Sequence, residues 1–127
     1  MATNFRIPFK NAVVAQGLPT GTAAGAKPGD PVRNGGLNGA NLWGTGKGQG
    51  IPSAPGSTYG MIALDGVIVT DVVIATTALK ENDPIYITGA NVLNNTASGN
   101  TLFGYADGPG AVGTRKIGVR ISNAVGA

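Results

Sequence analysis

Hydrophobic side chains follow two patterns along this chain. Near the C-terminus Arg115, Ile117, Val119 and Ile121 alternate with Lys116, Gly118, Arg120 and Ser122, the period-two repeat of a strand with one buried face. Upstream, Val67-Ile68-Val69-Thr70-Asp71-Val72-Val73-Ile74 is a nearly continuous apolar run of the length and β-branched character of a core strand. Tyr59 to Leu64 leads into it through Asp65-Gly66, a pair that predicts a hairpin or a bulge. Pro84-Ile85-Tyr86-Ile87-Thr88 puts Ile85 and Ile87 on one face. Val92-Leu93 and Thr101 to Ala106 complete the strand-like segments, with a polar turn at Ala97-Ser98-Gly99-Asn100. No ten-residue window carries helical periodicity, although Thr77 to Glu81 is compatible with a single helical turn.

The first half is less regular. Phe5-Arg6-Ile7-Pro8-Phe9-Lys10 sets large apolar residues beside a proline, so it reads as an extended arm or a sheet edge rather than a central strand. Residues 1–12 are therefore expected to form an N-terminal arm and residues 13–127 one β domain. Asn11 to Gln16 can pair into that body, and Gly17 to Gly29 reads as a loop. Asp30-Pro31-Val32-Arg33 predicts a short strand closed by Asn34-Gly35-Gly36, and Asn82-Asp83-Pro84-Ile85 repeats the same turn-into-strand chemistry. The stretch 34–58 reads as one long glycine-rich loop, with Leu37, Leu42, Trp43 and Ile51 as its large apolar residues. Loops of that length in a compact domain commonly carry function. Trp43 either pins the loop to its own core or stands out as an interface anchor.

Composition sharpens this picture. The 22 glycines and 8 prolines among 127 residues break up any long helix, while 42% hydrophobic residues are ample for one core and argue against disorder. The expected fold is an all-β sandwich or barrel with long glycine-rich loops. A net charge of +3, with 12% charged residues, gives little attraction to nucleic acid or anionic lipid, and a surface poor in charge suits burial against other subunits. The start lacks a signal-peptide pattern and no segment has membrane-spanning length, so synthesis in a host cytoplasm is expected.

Candidate chemistry is sparse. The chain has no His and no Cys, which removes the usual acid-base and nucleophilic groups and the soft metal ligands. Of the carboxylates, Asp30, Asp65, Asp83 and Asp107 stand at or just ahead of Gly or Pro, where turns favour them. Asp71, inside an apolar run, is expected at a solvent-facing bend or in a pair with an arginine, the bend being preferred. Gly44-Thr45-Gly46-Lys47-Gly48-Gln49-Gly50 lacks the Ser or Thr that must follow Gly-Lys in a phosphate loop, and a dinucleotide fingerprint would need glycine where Gln49 stands. Arg115, Lys116 and Arg120 read as a solvated strand face. No enzyme activity, cofactor or metal is expected.

The order Asp65-Gly66-Val67, Asn82-Asp83-Pro84-Ile85-Tyr86-Ile87, Val92-Leu93, Ala97-Ser98-Gly99-Asn100-Thr101-Leu102-Phe103-Gly104-Tyr105-Ala106 and Ile117-Gly118-Val119-Arg120-Ile121 resembles the capsid decoration (cement) proteins of tailed bacteriophages. The start Ala2-Thr3-Asn4-Phe5 and the upstream Asp30-Pro31-Val32 are similar too, whereas Leu37 to Thr58 departs from the family pattern. The resemblance implies a compact β-barrel or β-tulip body, homotrimeric on the outer surface of the virion capsid, bound to the major capsid protein through its N-terminal arm. No nucleic-acid or membrane partner is implied. On that reading Phe5, Arg6, Ile7, Pro8 and Phe9 are the arm contacts, and Leu42 and Trp43 the loop contacts. The alternatives are a carbohydrate- or host-surface-binding β module that stacks sugars on Trp43, Tyr59 or Tyr105, and, further off, an enzyme fragment or nucleic-acid-binding subunit.

Overall fold

The structure, a computed structural model, describes residues 4–16, 29–42 and 59–123. It is all-β. Ten strands follow in chain order: β1 (Phe5–Ile7), β2 (Ala12–Gln16), β3 (Pro31–Asn34), β4 (Leu37–Asn41), β5 (Tyr59–Ala63), β6 (Val67–Ile74), β7 (Pro84–Ile87), β8 (Leu93–Asn94), β9 (Thr101–Ala106) and β10 (Gly113–Ile121). No helix occurs among the described residues, and Thr77 to Glu81 instead runs irregularly, with Leu79 bridged to Gly110.

Two sheets share these strands, ordered β1-β6-β10-β9-β7-β8 and β2-β5-β4-β3. Every pairing is antiparallel except β6 with β8, where Val72 and Val73 lie opposite Leu93 and Asn94. That pairing joins the last strand of the larger sheet back to β6, so β6, β10, β9, β7 and β8 form a closed ring of hydrogen-bonded neighbours. Closure removes the free edges that an open sheet would present.

Sequence periodicity explains the core. Ile68, Val72 and Ile74 of β6 are buried together with Ile85, Ile87, Leu93, Phe103, Ala106, Ile117, Val119 and Ile121. β6 and β10 pair over their full length, from Gly113 opposite Ile74 to Arg120 opposite Val67. The alternation of β10 thus points Ile117, Val119 and Ile121 inward and leaves Lys116 and Arg120 outside. Gly104 lies opposite Ile121, where a side chain would run into the Arg120 carbonyl. Pro31 and Pro84 open β3 and β7, where a missing N–H costs no ladder bond.

Three expectations are corrected. Asp65-Gly66 is neither a hairpin nor a bulge, because β5 and β6 belong to different sheets. It is a corner made by Gly66 at φ 99°, a left-handed conformation open chiefly to glycine. Second, the loop expected over 34–58 begins with a strand. Gly35, at φ 59°, and Gly36 form a two-residue turn that sets Asn34 opposite Leu37 and starts β4. The small residues of β4 serve close packing: a Cβ on Gly39 would lie 2.5 Å from the Ala63 carbonyl oxygen. Third, Asp71 lies at no bend but in mid-strand on the outer face of β6, paired with Lys116 at 3.2 Å.

Candidate functional site

β1 is the part of the expected arm that the structure places in detail, and it lies on the body. Phe5 pairs with Ile68 and Ile7 with Val67, with an irregularity between them. The Val69 N–H donates to the Asn4 carbonyl at 2.9 Å, and the Asn4 side-chain amide donates to the carbonyls of Gly29 and Val69 at 3.0 and 3.1 Å. Gly29 has φ 89°, a left-handed conformation that favours glycine, and a Cβ there would displace the Asn4 amide. β6 therefore divides one flank between two strands, β1 at Val67 and Ile68 and β8 at Val72 and Val73.

At β1 Phe5 points inward whereas Arg6 and Ile7 are exposed, because the register irregularity between Phe5 and Ile7 interrupts the strand alternation. Phe5 is half-buried, packs on the main core, and meets the Phe9 ring at 5.3 Å between centroids with the planes tilted by 54°. Arg6 points out across the sheet, its Nη1 donating to Asp107 Oδ2 at 3.0 Å and to the Asp107 carbonyl at 3.1 Å. Arg120 Nη2 holds the other oxygen, Asp107 Oδ1, at 3.1 Å, and its Nη1 donates to Asn82 Oδ1 at 3.3 Å. Gly118 leaves the trough for this pair: a Cβ there would sit 2.8 Å from Arg6 Nη1 and 3.1 Å from Asp107 Cβ. Both guanidinium side chains remain nearly half exposed, so the latch is worth at most about 1 kcal/mol per pair.

Beyond β1 the chain turns toward the second sheet through Pro8, Phe9, Lys10 and Asn11. Asp65 fixes the far end of this link, with Oδ1 accepting the Lys10 N–H at 2.6 Å and the Asn11 N–H at 3.3 Å, and Oδ2 accepting from the Asn11 amide at 2.7 Å. The Lys10 N–H holds the Asp65 carboxyl below its usual 3.8, opposed in part by burial and reinforced by Asn11. Ile7 and Pro8 are exposed, Ile7 by 50%. Among the described residues β6 is the one strand neighbour of β1, and none of them pairs with its outer flank.

Of the residues expected to make contacts, Phe5, Arg6, Ile7, Pro8 and Phe9 thus lie on one surface, but with different roles. Phe5 is committed to the chain's own core, Arg6 to the latch, and Ile7 and Pro8 face solvent. Leu42 follows β4 in the other sheet and is 2% exposed, so its side chain belongs to the interior. Trp43 lies outside the described residues. Sequence reading missed Asp107, Arg120 and Gly118 as partners of the arm. Asp107 carried only its turn signal before Gly108, and no local pattern links it to Arg6, which is 101 positions away.

A polar cleft of about 370 Å³ lies elsewhere, between Arg33 and Gly35 on one side and Thr88, Gly89, Asn91, Gly99 and Thr101 on the other. No aromatic ring lines it; Tyr105 is half-buried on β9 between Pro84 and Arg120, and Trp43 and the side chain of Tyr59 lie outside the described residues. Among the described residues no three His, Cys, Asp or Glu side chains group as metal ligands, and no helix is long and apolar enough to cross a membrane.

No protein-family model, curated protein or solved structure matches this chain.

Proposed function

We propose that this protein is a non-catalytic structural subunit that decorates the capsid of a tailed bacteriophage, binding the major capsid protein from outside and reinforcing the shell. The observation that carries the reading is β1: an edge strand that, among the described residues, pairs on one flank only, with Ile7 exposed on it, as strand addition to a partner would use it. The order of motifs downstream of Asp65 supports it, as does a residue inventory without His or Cys.

Energetics fit a role in a lattice better than a tight one-to-one complex. Covering the exposed half of Ile7 contributes only about 1 kcal/mol, and three or four strand hydrogen bonds add about 1 kcal/mol each. Such a contact is weak alone. Many copies that also touch one another bind together far more tightly than one copy does.

The test is co-sedimentation of the purified protein with phage shells stripped of, or lacking, decoration. Saturable binding at a fixed number of copies per capsid protein, lost in an Ile7→Asp variant that still folds, is the expected result. A protein that stays in the supernatant with every shell tried refutes the reading.

A further inference from the structure

Apart from the contact of the Phe5 and Phe9 rings, the contacts of the N-terminal segment named above are remote in sequence. Asn4 bonds to Gly29 and Val69, 25 and 65 positions away, and Arg6 to Asp107, 101 positions away. Phe5 and Ile7 pair with Ile68 and Val67. The segment is thus held as a bound peptide would be, by a groove on the flank of β6, and the groove cannot tell which copy of the chain supplies it.

The tether is built to allow either source. Asp65 pins Lys10 and Asn11 to the body, and β1 ends at Ile7, so every change of direction falls on Pro8 and Phe9. Proline fixes its own φ and biases Ile7 toward the extended conformation that it already has in β1, so this restraint is the same in the closed and the exchanged form. Phe9 stays beside Gly66, its backbone nitrogen 3.2 Å from where a Cβ would be. An incoming Phe5 would therefore find the same aromatic neighbour as before.

We infer that β1 exchanges between copies of this chain, residues 4–7 of one copy occupying the β6 groove of the next in a closed ring. Every contact named above is kept in the exchanged form, so the balance is set by concentration. A short tether gives the chain's own arm an effective concentration in the millimolar range. The closed monomer accordingly dominates in dilute solution, and exchange takes over at millimolar protein or where copies are packed side by side. Three peptide steps from Ile7 to Lys10, which Asp65 holds to the body, reach about 10 Å at most, which requires directly abutting neighbours. The inference holds whatever surface the ring sits on, so it stands or falls apart from the capsid reading.

The test uses the full chain, which has no native cysteine. Ile7→Cys with Val67→Cys places two thiols at directly opposed strand positions, within disulfide reach. Oxidised at millimolar concentration, the variant should run on non-reducing gels at two or more times the monomer mass and return to monomer on reduction; oxidised when dilute, it should stay monomeric. Val67 is buried, so sedimentation of the unaltered chain, dilute and at millimolar concentration, repeats the measurement if the variant does not fold: a shift to two or more times the monomer mass on concentration is expected, and a monomer throughout would overturn the inference. Disulfides confined within single chains at every concentration would overturn the inference. Thiols that stay free in a folded Ile7→Cys, Val67→Cys variant would overturn it too, because the arm would then not lie on β6 at all.

Discussion

The side-chain amide of Asn123 clasps the backbone of Asn38 from both ends, Oδ1 accepting the Asn38 N–H at 2.7 Å and Nδ2 donating to the Asn38 carbonyl at 2.7 Å. Asn123 follows β10 and Asn38 lies in β4, so the clasp joins the two sheets. Asn123 also donates to the Leu64 carbonyl at 2.9 Å. The Asn38 amide, buried at 4% exposure, in turn donates to the carbonyls of Leu102 and Ser122 at 2.9 Å and accepts from Arg33 at 2.6 Å. Two asparagines thus satisfy a seam of backbone groups where the strands of neither sheet can reach.

Removing either amide leaves buried partners unpaired, which costs about 1–3 kcal/mol for each group that water cannot reach. Asn38→Leu and Asn123→Ala should each lower unfolding stability by about 2–4 kcal/mol, read as a drop in the urea midpoint with an unchanged slope. The double variant should cost less than the sum, because the two residues share bonds.

The latch over Gly118 should behave differently. Arg6→Ala removes one half-exposed pair and should change global stability by less than about 1 kcal/mol. Amide exchange at Val69, whose N–H is covered by Asn4, should nevertheless quicken by up to about fivefold as β1 opens more often. Gly118→Val, which drives a side chain into Arg6 and Asp107, should quicken it more. Unchanged exchange in both variants would mean that the latch does not hold the strand.

Asp65 gives the fold an acid-sensitive point. Its carboxyl is held below its usual 3.8 in the folded protein, so the charged form is the one that folding favours. The stabilisation is complete above the unfolded value and is lost as pH falls through the lower folded value. Urea midpoints measured from pH 6 down to pH 2 should decline more steeply for the native chain than for Asp65→Asn. Equal slopes would remove Asp65 as a source of the acid response.

Much of the fold is legible in the residues because β6, β7, β9 and β10 bury alternating or continuous β-branched side chains, and because Pro31 and Pro84 mark strand starts. β4 was hidden: Leu37-Asn38-Gly39-Ala40-Asn41 has almost no hydrophobic signal, and its small residues answer to Ala63 across the sheet, which no local window contains. Asp65-Gly66 has the chemistry of a tight turn in either case, and only pairing partners decide between a hairpin and a corner between sheets. The arm was legible as extended and apolar, yet its division into an inward Phe5, a latched Arg6 and an outward Ile7 depends on Gly118 and Asp107, far along the chain. Leu42, expected at a contact, is drawn inward at the end of the strand that the glycine-rich reading concealed.

The most direct test of the account is a three-dimensional reconstruction of phage shells saturated with the purified protein, at a resolution that traces residues 4–9. The account predicts ordered copies on the outer surface, with β1 seated on a β6 flank and Ile7 against the capsid protein. Copies bound through some other surface while Ile7 and the outer edge of β1 face solvent would contradict it.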